Sequence, residues 1–220
     1  AATPQCRAIE RVAGTGALGN VQTTYLNNGR FRTQGIDVQL DWTVPVGPGE
    51  LSLNSVFNYL ITFKSAPLPI EAGPAGQLVE YAGTLGPSGN AGIAENGLNP
   101  GAFRWKLFST VGYSFGPADI SLQWQHLPSA KSIAFPSTPN TPFVGSPAYN
   151  LFNLNGSVRL NDVVTLRGGI ENLFDKAPPI SDYNAVTTTG LATNIGTSPI
   201  NGYFFDVIGR RFYVGASVRF

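Results

Sequence analysis

Charged residues are scarce in this sequence of 220 residues: Asp, Glu, Lys and Arg together make up 12% of it. An ordinary soluble domain carries about 25%, so the shortage is typical of membrane proteins or of disorder. Disorder is the weaker interpretation, because 42% of the residues are hydrophobic and β-branched and aromatic residues are plentiful. The formal net charge is +1 and the basic residues are scattered singly. The charge distribution therefore gives no indication of nucleic-acid binding.

Cysteine and histidine each occur once, as Cys6 and His126, and methionine is missing. A single cysteine excludes an internal disulfide framework and a cysteine-based metal cage. A single histidine excludes metal sites built from several imidazoles. No nucleophile stands beside a base and no carboxylate pair stands out. We therefore predict no catalytic residue, no metal site, no cofactor and no enzyme activity.

Long apolar runs are also missing. No segment approaches the ~18 residues of a membrane-spanning helix, so a chain like this enters a bilayer only as a closed barrel, in which every backbone polar group has an internal partner. The opening residues Ala1 to Gln5 contain neither the charged nor the apolar region of a signal peptide. For an exported protein this predicts that the N-terminus has been removed, by processing or because the chain is a fragment, which is the preferred interpretation.

Alternation of apolar and polar residues is the dominant pattern. From Arg211 to Phe220, every second residue is apolar or Ala and the intervening residues are mostly polar, which gives a strand one apolar and one polar wall. The same pattern predicts about eight strands, each near the length that crosses a bilayer when tilted: a weak one at 21–26, then 33–44, 50–63, 102–115, 119–127, 149–160, 163–172 and 211–220.

The connections between these strands alternate in length. Short ones fall at 45–49, 116–118 and 161–162, and long ones, rich in Gly, Pro, Ser, Thr and Asn, at 64–101, 129–147 and 174–209. Short turns on one side and long loops on the other are typical of bacterial outer-membrane barrels. Aromatic residues at both ends of the strands agree with two interfacial girdles, and His126 is expected near the outer one. The predicted fold is therefore an all-β, antiparallel transmembrane β-barrel with periplasmic turns and extracellular loops.

Two motifs make the prediction more specific. The ending Gly215, Val218 and Phe220 resembles the C-terminal signal by which barrel proteins are recognised for assembly, although Val214 stands where that signal has a polar residue. Residues 171–179, which include Asn172-Leu173-Phe174-Asp175, together with Gly209-Arg210-Arg211, resemble the final hairpin of TonB-dependent receptors. Residues 27–37 and 6–11 are similar to earlier segments of the same family.

The resemblance implies an outer-membrane receptor of a Gram-negative bacterium that imports a siderophore, cobalamin or oligosaccharide. It implies that residues 20–220 are the C-terminal part of a barrel of about 22 strands, preceded by an irregular segment at 1–19. The plug domain and the TonB box are not visible here, so TonB would act through a missing N-terminal part, which would also hold the partner of Cys6. Other expected partners are outer-membrane lipid, the barrel assembly machinery acting on the last strand, and an extracellular ligand of unknown identity.

Charged residues on the predicted inner wall are candidates for holding a plug or guiding a ligand, although a polar barrel interior also explains them. They are Asp37, Asp41, Arg104, Lys106, Arg159, Arg167, Glu171 and Arg219. Two alternatives stay open: a complete small barrel of about eight strands that acts as a passive pore or anchor, and a soluble β-sandwich that binds a ligand. The segment Gly14 to Gly19 matches a dinucleotide-binding pattern, but a strand-like segment follows it, so we expect a turn there.

Overall fold

The computed structural model describes residues 9–21, 30–66, 78–85, 102–132, 145–179 and 204–219. These residues form twelve strands and no helix. The strands are β1 (Ile9–Arg11), β2 (Leu18–Val21), β3 (Arg30–Val46), β4 (Gly49–Ala66), β5 (Val79–Glu80), β6 (Thr84–Leu85), β7 (Trp105–Phe115), β8 (Ala118–Leu127), β9 (Lys131–Ser132), β10 (Tyr149–Arg159), β11 (Val164–Glu171) and β12 (Arg211–Val218).

One antiparallel sheet contains all the long strands, in the order β12-β11-β10-β8-β7-β4-β3, and the short β5 adds to β4. Strands that neighbour each other along this order are also consecutive among the long strands of the sequence, as in an up-and-down barrel. The predicted all-β antiparallel fold with about eight strands is confirmed. The seven long strands begin and end within three residues of their predicted limits, and the predicted strand at 21–26 lies almost wholly outside the described residues.

The three short turns lie at one end of the sheet. Gly47 and Gly116 each have a positive φ, 57° and 56°, and a proline follows each of them. A positive φ at the first central position of a two-residue turn is the type II′ geometry, whose twist matches that of the flanking strands. The third turn is closed by Asn161, whose side-chain oxygen accepts hydrogen bonds from the backbone of Val163 and Val164 at 2.9 and 2.8 Å. The long connections lie at the opposite end.

The sheet separates its side chains into two walls. One cross-strand row runs through all seven long strands and contains only apolar residues: Trp42, Leu53, Val111, Leu122, Leu154, Ile170 and Phe212. The next row towards the short turns contains only polar residues, a tyrosine and glycine: Thr43, Ser52, Gly112, Ser121, Asn155, Gly169 and Tyr213. We call the side of the first row the apolar wall and the side of the second the polar wall.

The apolar wall is uncovered. Trp42 is 48% exposed, Val111 45% and Phe212 72%. Within the described part of the chain, every contact between strands is between sheet neighbours or within the two small pairs β1–β2 and β6–β9, so no second layer packs over this wall. A soluble β-sandwich would bury such a wall against a facing sheet. That alternative therefore does not fit the sheet.

The two edge strands, β3 and β12, run in the same direction. Direction reverses from each strand to the next, and β12 is the seventh long strand counted from β3. Among the residues described, β3 pairs only with β4, β12 pairs only with β11, and the two edges do not contact each other. Joining these edges directly would make a parallel pair, whereas bacterial outer-membrane barrels are antiparallel throughout with an even strand number. The described part of the sheet is therefore open at both edges.

The segment before β3 contains a small hairpin. In it β1 pairs with β2, and residues 12–17 connect them, with positive φ at Gly14 and Gly16. The glycine-rich stretch at 14–19 thus forms the turn, as expected, and the start of β2, and it opens no helix. Cys6 lies outside the described residues, and the division of the chain at residue 19 stays a prediction. In the described ranges, no helix is long and apolar enough to cross a membrane.

Gly169→Ala is expected to destabilise the sheet by about 1–3 kcal/mol, the usual cost of overpacking. A Cβ at this position would lie 2.7 Å from the backbone oxygen of Leu154 and 2.7 Å from the ring of Tyr213, so the β10–β11 pair has to open. Urea titration of the detergent-refolded chain, followed by the gel shift between folded and unfolded forms, measures the change. Gly168→Ala is the matched control, because its nearest contact is 3.2 Å; equal losses in both variants would contradict this explanation.

Candidate functional site at the base of the long loops

A compact hydrophobic cluster lies at the long-loop end of the sheet. We call it the loop-base cluster; it consists of buried Leu85, Phe103, Leu127, Ala130, Tyr149 and Phe205, with Leu151 and Phe204 packed against it. Leu85 comes from the loop 64–101, Ala130 from 129–147 and Phe205 from 174–209. All three long loops therefore contribute side chains to one small core, which is the largest buried apolar group of the described residues.

Aromatic rings give the cluster its geometry. The ring of Phe103 meets those of Phe204 and Phe205 edge to face at 5.2 and 6.2 Å, and Tyr149 meets Phe205 at 5.1 Å. Such edge-to-face pairs stabilise by about 0.5–1.5 kcal/mol beyond the area that they bury. The loop 174–209 is thus fixed to the strand ends by Phe204 and Phe205.

The cluster stands over the polar wall. Leu127 and Tyr149 are cross-strand partners, and Leu151 is the partner of Gln125. By the alternation of side chains along β8 and β10, these residues share a side with Gln123 and Asn153. The loop residues that cover them therefore fold towards the polar side of the sheet and away from the apolar wall.

Backbone hydrogen bonds join two of the loops directly. The strands β6 and β9 pair in parallel, with Thr84 opposite Lys131, and the N–H of Lys131 donates to the carbonyl of Gly83 at 2.8 Å. Ala130 and Ser146 exchange two hydrogen bonds of 2.9 and 2.7 Å across the base of the loop 129–147. The described parts of these two loops are therefore one hydrogen-bonded unit.

Glu80 and Arg104 attach the first loop to the sheet. The Glu80 carboxylate accepts hydrogen bonds from the Thr62 hydroxyl and from the backbone of Phe63 and Ala82, at 2.8, 2.8 and 2.9 Å. The Arg104 guanidinium donates to the carbonyls of Leu60, Ile61 and Ala82 at 3.2, 3.1 and 2.8 Å. Arg104, a candidate for ligand guidance in the sequence, thus contacts backbone of β4 and of the loop.

The motif residues Asn172 and Asp175 hold the base of the third loop. Asn172 is 1% exposed and has a positive φ of 52°, a conformation that asparagine tolerates better than most residues. Its side chain accepts from the backbone N–H of Lys176 at 2.7 Å and donates to the Lys176 carbonyl and to Asp206 at 3.1 and 3.2 Å. Its backbone N–H donates to Asn153 at 2.8 Å.

Three further motif residues join the same network: Gly209 and Arg210, which precede β12, and Arg211, its first residue. The Asp175 carboxylate accepts from the backbone of Arg210 at 3.0 Å and lies 3.9 Å from its guanidinium. Gly209 has a φ of 88°, and a Cβ there would lie 3.1 Å from this carboxylate. Arg211 bridges Glu171 at 2.7 Å and Asp206 at 3.1 Å. The two separated halves of the motif therefore form one hydrogen-bonded group beneath the loop 174–209.

Two carboxyl groups at the loop base, those of Asp206 and Glu80, have a pKa below the ordinary value. Burial opposes the ionisation of Asp206, but hydrogen bonds from the Ile208 backbone, Arg211 and Asn172 outweigh it and lower the pKa. Burial likewise opposes the ionisation of Glu80, and its hydrogen bonds together with the charge of Arg104 lower its pKa. A carboxyl group with a lowered folded-state pKa stabilises the fold above its unfolded-state pKa, and this stabilisation is lost as the pH falls through the folded-state value.

The loop attachments are therefore expected to weaken as the pH falls from about 5 to about 3. Thermal unfolding in detergent, followed across this range, should show a lower melting temperature at acid pH. Glu80→Gln should be less stable than wild type at neutral pH and should show a smaller acid loss. Glu50→Gln is the control, because Glu50 makes no side-chain hydrogen bond or ion pair in the part of the chain that the structure describes; equal flattening by both substitutions would contradict the assignment.

The remaining charged candidates lie on the polar wall. Asp37 accepts a hydrogen bond from Asn58, and Asp41 accepts from Asn54 and, at 2.8 Å, from Gln39. Lys106 is the cross-strand partner of Asn58. Arg159 is the last residue of β10, Arg167 lies in the middle of β11, and Arg219 directly follows β12. The candidates are thus spread along the wall and do not form one site; their role stays a prediction.

The assembly motif lies on the edge strand. Gly215 and Val218 are in β12, whose Val214 is 86% exposed, and Phe220 lies outside the described residues. Leu173 and Phe174 of the receptor motif follow β11: the N–H of Leu173 donates to the Phe152 carbonyl at 2.7 Å, and the Phe174 ring meets Phe152 at 5.3 Å.

A strip of aromatic rings crosses the apolar wall near the long-loop end. His126 stacks on Trp105 at 4.7 Å and meets Trp124 at 5.9 Å, and the Asn150 side-chain oxygen lies 2.9 Å from the Trp124 indole nitrogen and 2.7 Å from His126 Nδ1. The Trp124 indole nitrogen can only donate a hydrogen bond, so the Asn150 side-chain oxygen accepts it. The same oxygen accepts from His126, whose Nδ1 therefore carries a hydrogen. The strip has the position of an interfacial aromatic girdle.

Glu80, Phe205 and Asp206 are loop-base residues that were not predicted from the sequence. Only the run Phe204-Phe205-Asp206, an aromatic pair followed by an acid, was available as an indication in the loop 174–209. Glu80 had none, because its partners are the hydroxyl of Thr62 and the backbone of Phe63 and Ala82, which no local pattern marks. Among the described residues no group of three or more His, Cys, Asp or Glu side chains is arranged to hold a metal ion.

A sheet of long antiparallel strands, with one uncovered apolar wall, one polar wall and loops of unequal length at its two ends, defines part of a transmembrane β-barrel. The family model described as "TonB dependent receptor-like, beta-barrel" matches residues 8–173. The chain belongs to this family, whose members are transporters of the Gram-negative outer membrane, not enzymes, and the match implies TonB-coupled transport. No curated protein matches the chain significantly.

The family match ends at Leu173. It therefore covers β1 to β11 but not the loop 174–209 or β12. Hydrogen bonds join Arg210 to Asp175 and, through Asp206, Arg211 to Asn172. The resemblance of Gly209-Arg210-Arg211 to the last hairpin of TonB-dependent receptors stays a prediction.

Proposed function

We propose that the three long loops form the extracellular ligand-binding surface of a receptor for a scarce nutrient, such as a ferric siderophore, cobalamin or an oligosaccharide. The observation that carries this proposal is the convergence of all three loops on the loop-base cluster. A shared base fixes the loops relative to one another, and binding sites are commonly built on loops that a rigid scaffold positions. The polar wall beneath the cluster would face the aqueous lumen through which the ligand passes.

The two unpaired edges of the described sheet support the further proposal that residues 20–220 are the C-terminal part of a larger barrel. Closing the seven described long strands on themselves would pair β3 and β12 in parallel, so a complete small pore would need a further strand from outside the described residues, such as the one predicted at 21–26. The exposed edge of β12, with Gly215 and Val218, is then the surface that the barrel assembly machinery would engage. TonB would act through an N-terminal part, as in the family.

Uptake by cells that express the protein tests the receptor proposal. The probes are a radiolabelled ferric siderophore, radiolabelled cyanocobalamin and a radiolabelled oligosaccharide. We expect one of them to accumulate, and accumulation to stop when TonB is removed or a protonophore is added. Uptake that persists without TonB or a proton gradient would favour a passive pore, and no uptake of any probe would contradict the proposed ligand classes.

The role of the loop base is tested in the same assay. Phe205→Ala should reduce uptake severalfold, because it removes a ring that meets both Phe103 and Tyr149. Ile208→Ala is the matched control in the same loop, since Ile208 is 72% exposed. Surface levels of both variants are measured by antibody labelling; equal uptake by both at equal levels would contradict a role for the cluster.

A further inference from the structure

Polar side chains interrupt the apolar wall at one place, near its long-loop end. From the row of Ile36 and Tyr59 towards the short turns, the long strands present aliphatic residues, Phe, Tyr, Trp or Gly on this wall, with four exceptions. The exceptions are Ser55, Ser109, His126 and Asn150. His126 and Asn150 are cross-strand partners, and Ser55 and Ser109 are partners in the next row towards the short turns. We call these four residues the outer-wall patch.

The patch has hydrogen-bonding groups that no described residue uses. His126 Nδ1 donates to the Asn150 side-chain oxygen at 2.7 Å, so in a neutral imidazole Nε2 is an acceptor. Among the described residues, neither this Nε2 nor the amide nitrogen of Asn150, which carries two hydrogens, has a partner. The hydroxyls of Ser55 and Ser109 lie 2.7 Å apart, and one hydrogen is sufficient for the bond between them.

Membrane hydrocarbon does not satisfy these groups. An unpaired polar group costs free energy in an apolar medium, and polar side chains are rare on surfaces that face lipid. The row of Ser55 and Ser109 lies directly beside the apolar row through Leu53 and Val111. The patch therefore extends from the aromatic strip towards the membrane interior, where a partner with hydrogen-bonding groups is needed. Between transmembrane helices, such side chains form contacts from one protein segment to another.

The aromatic rings of the patch do not favour a glycolipid as this partner. A sugar ring is usually held by stacking on a free aromatic face. Here the rings stack on one another: His126 lies on Trp105 at 4.7 Å and 18°, and Trp124 lies beside Phe152 at 6.1 Å and 4°. The strip therefore presents mainly ring edges, together with the acceptor of His126 and the donors of Asn150.

A second copy of the chain supplies the complementary groups. In a two-fold contact each copy uses the same surface, and each group meets its counterpart across the axis. An axis along the membrane normal, between β8 and β10, places His126 of one copy opposite Asn150 of the other. Each His126 Nε2 then accepts from the Asn150 amide of the second copy, which gives two equivalent hydrogen bonds.

We infer that the outer-wall patch is the contact surface between two copies of this protein in the membrane. The inference goes beyond nutrient uptake and uses only the position of the apolar wall against lipid. The contact leaves the loop-base cluster and the polar wall untouched, because both lie on the other side of the sheet.

Recovery of one copy with another tests the inference. Copies with two different affinity tags are expressed in the same cells, and the outer membranes are extracted with a styrene–maleic acid polymer that keeps native lipid around the protein. We expect purification through one tag to recover the other tag as well. His126→Phe keeps a ring against Trp105 but lacks the Nε2 acceptor, and Asn150→Leu lacks the donors; each should reduce the recovery severalfold.

Tyr113→Phe is the matched control, because it removes a hydroxyl from the same wall at the short-turn end; recovery should not change. The gel shift between folded and unfolded forms shows that each variant is folded. No recovery of the second tag with the wild-type protein, or equal recovery from all three variants, would overturn the inference. Normal uptake by a protein that is monomeric in this assay contradicts the contact only, whereas a dimer that takes up no probe contradicts the receptor proposal only.

A photo-cross-linker locates the contact. With p-benzoylphenylalanine at position 152, beside the patch, illumination of the membranes should give a product of twice the mass, in which mass spectrometry finds two copies of the chain joined. Position 115 lies on the same wall at the short-turn end and should give no such product. Links from position 152 to lipopolysaccharide alone would show a glycolipid site and overturn the inference.

Discussion

Leu122→Arg is expected to destabilise the protein in a bilayer by about 2–4 kcal/mol, the range measured for arginine on the lipid face of a barrel near the membrane midplane. Leu122 lies in the middle of β8, in the apolar row that crosses all seven long strands, and is 37% exposed. No described element covers it. A charge at this position has to leave water for hydrocarbon or distort the bilayer around it.

Gln123→Arg is the matched control, because residue 123 is next in the same strand and points to the polar wall beside Thr110 and Asn153. We expect a change of less than about 1 kcal/mol there, as for surface substitutions in general. Both variants are refolded into lipid vesicles, and urea unfolding is followed by tryptophan fluorescence. Equal losses, or a larger loss for Gln123→Arg, would show that the walls are assigned the wrong way round.

Asn172→Ala is expected to destabilise the loop 174–209 by about 2–4 kcal/mol. The substitution leaves the backbone N–H of Lys176 without its acceptor and removes one of the donors to Asp206. It also places alanine at a φ of 52°, where a side chain without local hydrogen bonds is strained. Proteolysis of the detergent-refolded chain should release the loop faster, while cleavage elsewhere is unchanged.

Two controls separate the causes of that effect. Asn172→Gly removes the same hydrogen bonds but accepts the positive φ, so it should lose less stability by about 1 kcal/mol. Asp175→Asn keeps a side-chain acceptor for the Arg210 backbone and removes only a charge that is half exposed, so it should have a small effect. Loop release by Asp175→Asn that equals that of Asn172→Ala would contradict the central place of Asn172.

The two walls were predictable from sequence because strand side chains alternate in direction regardless of their partners. From Ile36 to Val44 the apolar residues recur at every second position, and the structure places them on one side of β3. Turn chemistry fixed the strand ends: Gly47 with Pro48 and Gly116 with Pro117 each interrupt the pattern for two residues. Local rules therefore defined the sheet almost completely.

The alternation fails where contacts between neighbouring strands, and not the pattern of one strand, determine which residue stands on which wall. Val56 and Phe108 are cross-strand partners on the polar wall, each 40% exposed, although both are apolar. Near the loop end, the β3–β4 register shifts between Gln34 and Gly35, so that Ile61 has no partner. A one-residue bulge reverses the side to which later residues point, and a single strand's pattern does not show it.

The loop base was not predictable, because its contacts join residues far apart in the chain and lack a period. Phe205 packs on Phe103 and Tyr149 across three separate segments. Arg104 follows the polar pattern of its strand, yet its guanidinium contacts backbone carbonyls that any sequence would provide. The motif Asn172 to Asp175 was identified only through family resemblance. The structure shows why an asparagine suits the first position: its side-chain amide is buried and its backbone has a left-handed conformation.

Spin labels placed singly from residue 36 to residue 42 of β3, in protein reconstituted into lipid vesicles, test the two-wall assignment most directly. Power saturation then compares access to oxygen, which concentrates in lipid, with access to a water-soluble nickel complex. We predict oxygen access at positions 36, 38, 40 and 42 and nickel access at 37, 39 and 41. Nickel access at all seven positions, or protection of the even positions from both reagents, would contradict a lipid-facing apolar wall.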